Sequence, residues 1–186
     1  MEMNIDISAA TPDDAAGLAA CAAVSFPLAC PADSLPGDIE RHIATHFTAD
    51  RFIDTMARPG HTILCLREEG RVMGWSMLVL DQPTDTDVLA SLSLAPVAEL
   101  SKFYVHPEQH GRGSANALMA ATLELAATTG LPGAWLGVNQ ENTRALRFYE
   151  KSGFRRVGTK RFLLGDRFED DFILEQPLPA RPVRAA

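Results

Sequence analysis

The 186-residue chain predicts an α/β (mixed α+β) fold: a central mixed, twisted sheet of six to seven strands with helices on both faces, in the order β-α-α-β-β-β-α-β-α-β-β. Three observations carry this. The length suits one well-buried domain and falls short of two. Short apolar, β-prone runs alternate with stretches whose apolar residues recur at the helical period. A strand ending at Val105 passes through the glycine-rich turn His110-Gly111-Arg112-Gly113 directly into a long helix, an arrangement that turns bare backbone N–H groups toward an anion.

The first strand is expected over Ile5 to Ser8. Thr11-Pro12-Asp13-Asp14 then supplies an N-cap, a proline at the first helical position and acids at the positive end of an alanine-rich helix that runs to about Val24. Prolines break regularity between Ser25 and Pro36. A second helical region follows from Asp38 to about Phe47 and a third from Ala49 to Ala57, their long side chains suited to wall a substrate. His42 and His46 share a helix face; with neither the Glu of His-Glu-x-x-His nor a third ligand, they read as a plain face, and no metal is expected. Thr62 to Arg67 and Arg71 to Leu80 form a hairpin across Glu68-Glu69-Gly70.

Asp81 to Leu94 is polar and then mixed, and reads as a loop. Val97 to Val105 is a strand stopped by Pro107, which cannot donate to a ladder. From Ala115, residues Leu118, Met119, Thr122, Leu125 and Ala126 keep the period of a helix packed on a sheet, ended by Gly130 and Pro132. Ala134 to Val138 is a short strand and Thr143 to Ser152 a helix. Phe154 to Leu164 and Asp171 to Leu174 make a closing hairpin across Gly165-Asp166. Residues 1–175 constitute the domain. The tail from Glu175 on, with Pro177, Pro179 and Pro182, is expected to be disordered.

A formal charge of −7 and no basic run longer than Arg155-Arg156 or Lys160-Arg161 exclude a nucleic-acid surface, and an acidic balance suits a cationic substrate. Cys21, Cys30 and Cys65 have no CxxC spacing and no basic neighbour to activate a thiol; they read as small core residues in a reducing compartment. The N-terminus has neither a basic nor an apolar leader region, and no apolar run spans a bilayer. A soluble cytoplasmic protein without a membrane partner is expected.

In the turn, glycines let main-chain donors converge and the helix adds its dipole, worth roughly 0.3–1 kcal/mol exposed and up to about 2 partly buried. It is no Walker A loop, because no Lys-Ser or Lys-Thr follows the glycines. It is no dinucleotide fingerprint, because Asn116 stands where a third small residue belongs and the next strand ends Leu136-Gly137-Val138-Asn139 without an acid. His110-Gly111-Arg112-Gly113-Ser114-Ala115 instead resembles the Gln/Arg-x-x-Gly-x-Gly/Ala signature of the GNAT superfamily of acetyl-coenzyme A dependent N-acetyltransferases, with His110 departing at the first position. A second motif of that superfamily, Asn-x-x-Ala-x-x-x-Tyr-x-x-x-Gly-Phe, is matched in full by Asn142, Ala145, Tyr149, Gly153 and Phe154. The first three of these line one helix face.

The resemblance implies a GNAT-like fold and acetyl-coenzyme A as co-substrate. It implies that the strand end Phe103, Tyr104 and Val105, the turn His110 to Ala115, and Asn142 with Tyr149 hold the cofactor. Tyr149 is expected as the general acid for the leaving thiolate, since a phenol of pKa near 10 donates to a thiolate of pKa near 8.5 and stays protonated at neutral pH. An alkyl amine of pKa near 10.4 needs about three pKa units, roughly 4 kcal/mol, to expose its lone pair at pH 7.4. Glu99, like the glutamate many members carry on this strand, is expected as the base; a solvated carboxylate paired with Lys102 is the plain alternative.

The hairpin Phe162-Leu163-Leu164-Gly165-Asp166 with Asp171, together with Trp135-Leu136-Gly137-Val138 and Glu99 to Val105, looks like PaiA-type spermidine/spermine acetyltransferases, although Asn139 replaces a common aromatic. A primary amine such as a polyamine is the expected acceptor, with Asp33, Asp38, Glu40, Asp85, Asp87 and Asp166 available to a polycation. An antibiotic amine, a protein N-terminus, and a non-catalytic acyl-coenzyme A binding module remain open. The resemblance makes a homodimer plausible.

Overall fold

A single seven-stranded sheet, ordered β1-β2-β3-β4-β5-β7-β6, organises the computed structural model, which describes residues 5–179. The strands are β1 (Ile5–Ala9), β2 (His61–Glu68), β3 (Arg71–Val79), β4 (Val97–Val105), β5 (Gly133–Asn139), β6 (Arg155–Leu164) and β7 (Arg167–Pro177). Every neighbouring pair is antiparallel except β4 and β5. The helices are α1 (Ala15–Ser25), α2 (Pro36–His46), α3 (Ala49–Met56), α4 (Thr86–Ser91), α5 (Ser114–Thr128) and α6 (Thr143–Lys151).

Strand β2 shows why both faces are covered. Ile63 to Leu66 are all buried, the continuous apolar run of a two-faced strand. Ile63 and Cys65 join Leu18, Cys21, Phe26, Phe47, Phe52 and Trp75 beneath α1 to α3. Leu64 and Leu66 meet Leu118 of α5 on the other face. Helix α5 buries Leu118, Met119, Thr122 and Ala126, and the Thr122 and Ser76 hydroxyls, 2.7 Å apart, satisfy each other inside that contact. Burial raises the thiols of Cys21 and Cys30 to about 11 and that of Cys65 to about 12, as unreactive core cysteines require.

The N-cap box at Thr11 is present. Thr11 N–H donates to the Asp14 carboxylate at 2.8 Å, opening a one-turn 3-10 helix (Pro12–Asp14) ahead of α1. The Glu69-Gly70 turn of the β2–β3 hairpin has positive φ at both residues, as a type I′ turn demands.

Three expectations are corrected. The segment Asp81 to Leu94 is not a plain loop: Asp85 caps α4, its Oδ1 accepting from the Asp87 and Val88 N–H groups at 2.8 and 3.3 Å. The Gln82 side chain brackets Val97 on both its N–H and its carbonyl, each at 2.9 Å. With three helices ahead of β2 and α4 before β4, the order is β-α-α-α-β-β-α-β-α-β-α-β-β. Nor does the tail begin at Glu175, because β7 continues to Pro177 and Leu178 is buried. Glu175 is itself buried because it accepts from the N–H groups of Ser93 (3.0 Å) and Leu94 (3.3 Å) and from the Ser93 hydroxyl, which offsets its desolvation. Residues 180–186 of the expected tail lie outside the described residues. Among the described residues no helix is long and apolar enough to cross a membrane.

Candidate active site

The sheet opens where its one parallel pair fails. β4 pairs with β5 only from Val97↔Gly133 to Glu99↔Trp135, so the C-terminal half of β4 has no strand on that side. His106 N–H donates to the Met73 carbonyl at 2.8 Å; by alternation Tyr104 also turns its backbone groups to β3, and Phe103 and Val105 turn theirs to the open edge. A bulge precedes them. Leu100 pairs with Leu78 and Lys102 with Met77, leaving Ser101 without a partner, so Glu99 and Lys102, three residues apart, reach the same cavity.

Two adjoining cavities occupy the opening, of about 490 and 580 Å³. They share Ala29, Phe103, Tyr104, Asn142, Ala145 and Tyr149. The first continues to the glycine turn. After a one-turn 3-10 helix (Pro107–Gln109), Gly111 and Gly113 hold φ of 76° and 82°, left-handed values that only glycine adopts readily, and Gly113 leads into α5. A side chain built at either would meet nothing within 4 Å. The glycines therefore serve the backbone path, and the space above the turn stays open. The turn is braced from behind: Gln109 is buried, its Nε2 donates to Glu68 (2.6 Å) and its Oε1 accepts from the Ser114 hydroxyl (2.5 Å). This cavity carries no carboxylate, and His110 and Arg144 line it, which suits an anionic ligand.

Helix α6 supplies the shared wall. Asn142 is its N-cap, Oδ1 accepting from Ala145 N–H at 3.1 Å. The cap fixes the amide and leaves Nδ2 as a donor toward the cavities. Tyr149 is buried beside Phe103, Phe148 and Phe154, and burial pushes its phenol well above the ordinary range. It therefore stays protonated at neutral pH and can donate a hydrogen bond into the cavities.

The second cavity is built from distant segments. Its aromatic wall is Phe26, Phe47, Phe52, Trp75, Tyr104 and Phe162. The His42 ring stacks on Phe26 at 4.6 Å and lies 4.4 Å from His46; burial lowers its pKa to about 4, so it is a neutral aromatic wall. The charged groups are Glu99, Glu169, Asp171, Lys102 and Lys160. Glu99 is half-buried, and desolvation raises its pKa against the pull of Lys102, Lys160 and His61. It is not simply paired with Lys102, whose Nζ donates to the Ser101 carbonyl and hydroxyl at 3.1 and 3.3 Å.

Of the residues expected to hold the cofactor, Phe103, Tyr104, Val105, His110, Gly111, Gly113, Ala115, Asn142 and Tyr149 line the first cavity. Arg112 and Ser114 do not: Arg112 pairs with Glu68 at 2.8 Å, and the Ser114 side chain is buried against Gln109. Glu99 lines the second cavity. None of Asp33, Asp38, Glu40, Asp85, Asp87 and Asp166 does; Asp33 pairs with Arg167 (3.0 Å), Asp38 with Arg41 (2.8 Å) and Asp85 caps α4. Sequence reasoning gave no place in the site to Arg144, which continues the Asn142 helix, to Lys160 and Glu169, or to Asp171, which it named only in the hairpin motif; the convergence of the last three depends on hairpin register.

The profile of the Acetyltransferase (GNAT) family matches residues 32–154. An uncharacterized N-acetyltransferase of Mycobacterium tuberculosis is 42% identical over 165 residues, covering 89% of this chain and 98% of its own. Among solved structures, PaiA N-acetyltransferase from Thermoplasma acidophilum in complex with coenzyme A superposes with a TM-score of 0.75 at 20% identity, over 94% of this chain and 99% of its own. The putative acetyltransferase yncA of Salmonella typhimurium, with its cofactor acetyl-CoA, gives 0.66 at 18%, over 98% and 99%. With the family profile spanning well over half of the chain and the split sheet, glycine turn and Asn142 helix in place, this protein belongs to the GNAT acetyltransferase family.

Proposed function

We propose that the chain is an N-acetyltransferase that binds acetyl-coenzyme A in the first cavity and transfers its acetyl group directly to a primary amine in the second. The observation that carries the reading is the junction: a cavity lined by His110 and Arg144 without a carboxylate and a cavity that carries three carboxylates and two lysines share one short wall at the unpaired edge of β4, so a thioester and an amine can meet without a covalent enzyme intermediate. The diphosphate lies on the N–H groups of the Gly111–Ala115 turn near Arg144. The Phe103 and Val105 backbone faces the pantetheine and thioester. Three carboxylates in the second cavity, Glu99, Glu169 and Asp171, favour an acceptor with a positive end, and a polyamine is one such acceptor.

In the reaction the amine nitrogen, its proton passed to Glu99 directly or through water, attacks the thioester carbonyl carbon. The C–S bond breaks, the thiolate takes a proton from the Tyr149 hydroxyl, the second proton shed by the nitrogen restores that phenol, and Glu99 returns the first to solvent. Amine and acetyl-coenzyme A become acetamide and the free thiol of coenzyme A. The test is Tyr149→Phe, with thiol release followed across an amine panel. Turnover is expected to fall by about 10²-fold or more with acetyl-coenzyme A affinity retained. Unchanged turnover and pH profile would remove Tyr149 as the acid, and acetyl-coenzyme A binding without thiol release for any amine would make the protein a binding module.

A further inference from the structure

One ammonium group in the second cavity lies without a close acceptor. Lys160 rises from β6 and crosses β7 to lie over Gly137 of β5, where an added Cβ would come 2.6 Å from its Cε and 3.4 Å from its Nζ. A residue without a side chain thus clears the lysine's path toward the split in the sheet. The ammonium group is poorly matched there. Its ion pair with Asp171 Oδ2 spans 3.7 Å, beyond hydrogen-bond distance, and among the described residues it donates no hydrogen bond. Burial lifts the pKa of Asp171 to about 6, which still leaves it ionised at neutral pH, so the pair is loose through its distance. On another wall the Trp75 indole N–H is buried without an acceptor, an arrangement that costs stability unless a ligand or water supplies one.

A lysine has three donors and no acceptor, and an indole has one donor. A bare polyamine brings only further donors: its charges can be met by Glu99, Glu169 and Asp171, but it offers Lys160 no acceptor. A carboxylate or phosphate on the acceptor supplies what Lys160 lacks. The positive end of the same molecule then belongs with Glu99, which carries no proton to donate when ionised. Cavity charge alternates to match: carboxylate for the amine, ammonium for the anion.

We propose that the acceptor is a small zwitterion, an amine carrying an anionic carboxylate or phosphate group, and that Lys160 Nζ holds the anion while Glu99 faces the amine. This rests on the acetyl-transfer reading above.

The test uses the full-length enzyme, acetyl-coenzyme A and thiol detection with matched acceptors: α-amino acids and their amides, 4-aminobutanoate and butylamine, O-phosphoethanolamine and ethanolamine, and spermidine. The expected result is a kcat/KM at least about tenfold higher for the anionic member of one class of pair, the size of a charged hydrogen bond lost. In Lys160→Met, checked for folding by circular dichroism, that ratio falls toward one. The carboxylate and phosphate arms show which anion the site takes. Thiol release that is equal or faster with spermidine, butylamine or the amides overturns the zwitterion and leaves acetyl transfer standing, as does a ratio that Lys160→Met does not change. Acetyl-coenzyme A binding with no release from any member of the panel overturns both.

Discussion

Replacing Glu99 by Gln removes one proton acceptor while keeping the size of the side chain, and the geometry sets the size and pH dependence of the loss. The carboxyl faces the second cavity, half-buried, with desolvation holding it above the ordinary carboxylate range. A base so placed is lost as pH falls through that raised value, giving the wild-type enzyme an acid limb in kcat/KM; above it, the ionised carboxylate takes the proton that a bound alkylammonium must shed. At pH 7.4 an amine of pKa 10.4 is about one part in a thousand neutral, a cost of roughly 4 kcal/mol, and positioned bases recover about 10²–10⁴ in rate. We therefore expect Glu99→Gln to lower kcat/KM by about 10²–10³ at pH 7.4, with acetyl-coenzyme A binding unchanged. The variant depends on amine that is already neutral, so its rate climbs about tenfold per pH unit. Between pH 7.4 and 9.4 its deficit shrinks by about 100-fold. The assay is initial-rate thiol release over that range in buffers of constant ionic strength. A deficit that stays constant with pH, or a loss below about threefold at pH 7.4, would refute Glu99 as the base.

Two further outcomes rest on local geometry. Gly113→Ala places a side chain at φ 82° in open space, so its cost is backbone strain alone, about 1–2 kcal/mol in urea unfolding, accompanied by a raised KM for acetyl-coenzyme A; an unfolding free energy within a few tenths of wild type would show the left-handed turn is not needed. Asp14 accepts from Arg67 Nε at 2.9 Å and Nη2 at 2.6 Å, and this arginine holds its carboxyl below the ordinary range. The pair's stabilisation is therefore present above the unfolded carboxyl pKa and lost as pH falls through the depressed folded value. Asp14→Asn should cost about 1.5–3 kcal/mol at pH 7 and progressively less in melts on acidification, and a pH-independent difference would contradict the assignment.

The first cavity was legible in sequence because its logic is local. Gly111 and Gly113 declare a backbone path within one turn, and Asn142, Ala145 and Tyr149 share a stripe within two turns of one helix. The acceptor side was not. Lys160 and Asp171 oppose each other only through the β6–β7 register, and read alone each is an ordinary polar strand residue. The six carboxylates expected to meet a polycation are engaged elsewhere or stand away from the cavity, whereas Glu169 and Asp171, which do line it, look in sequence like any others in a run of charges. Helix α4 is hidden for a related reason. It is six residues long, too short to show a period, and the segment around it is tied down by Gln82 and Glu175, one of them about eighty residues away.

The unpaired Ser101 in β4 makes the number of residues in that strand matter as much as their identity. Parity decides which face of the sheet each side chain enters, and the extra residue shifts parity midway, which is why Glu99 and Lys102 share a face although they stand three apart. A residue gained or lost at any regular position of β4 would turn the side chains beyond it to the opposite face. Deleting Ser101 itself would leave Leu100 and Lys102 as successive residues opposite Leu78 and Met77, every side chain keeping its face and only the local bend of the bulge being lost, so Ser101 is the position in this strand where a one-residue gap costs shape and not orientation.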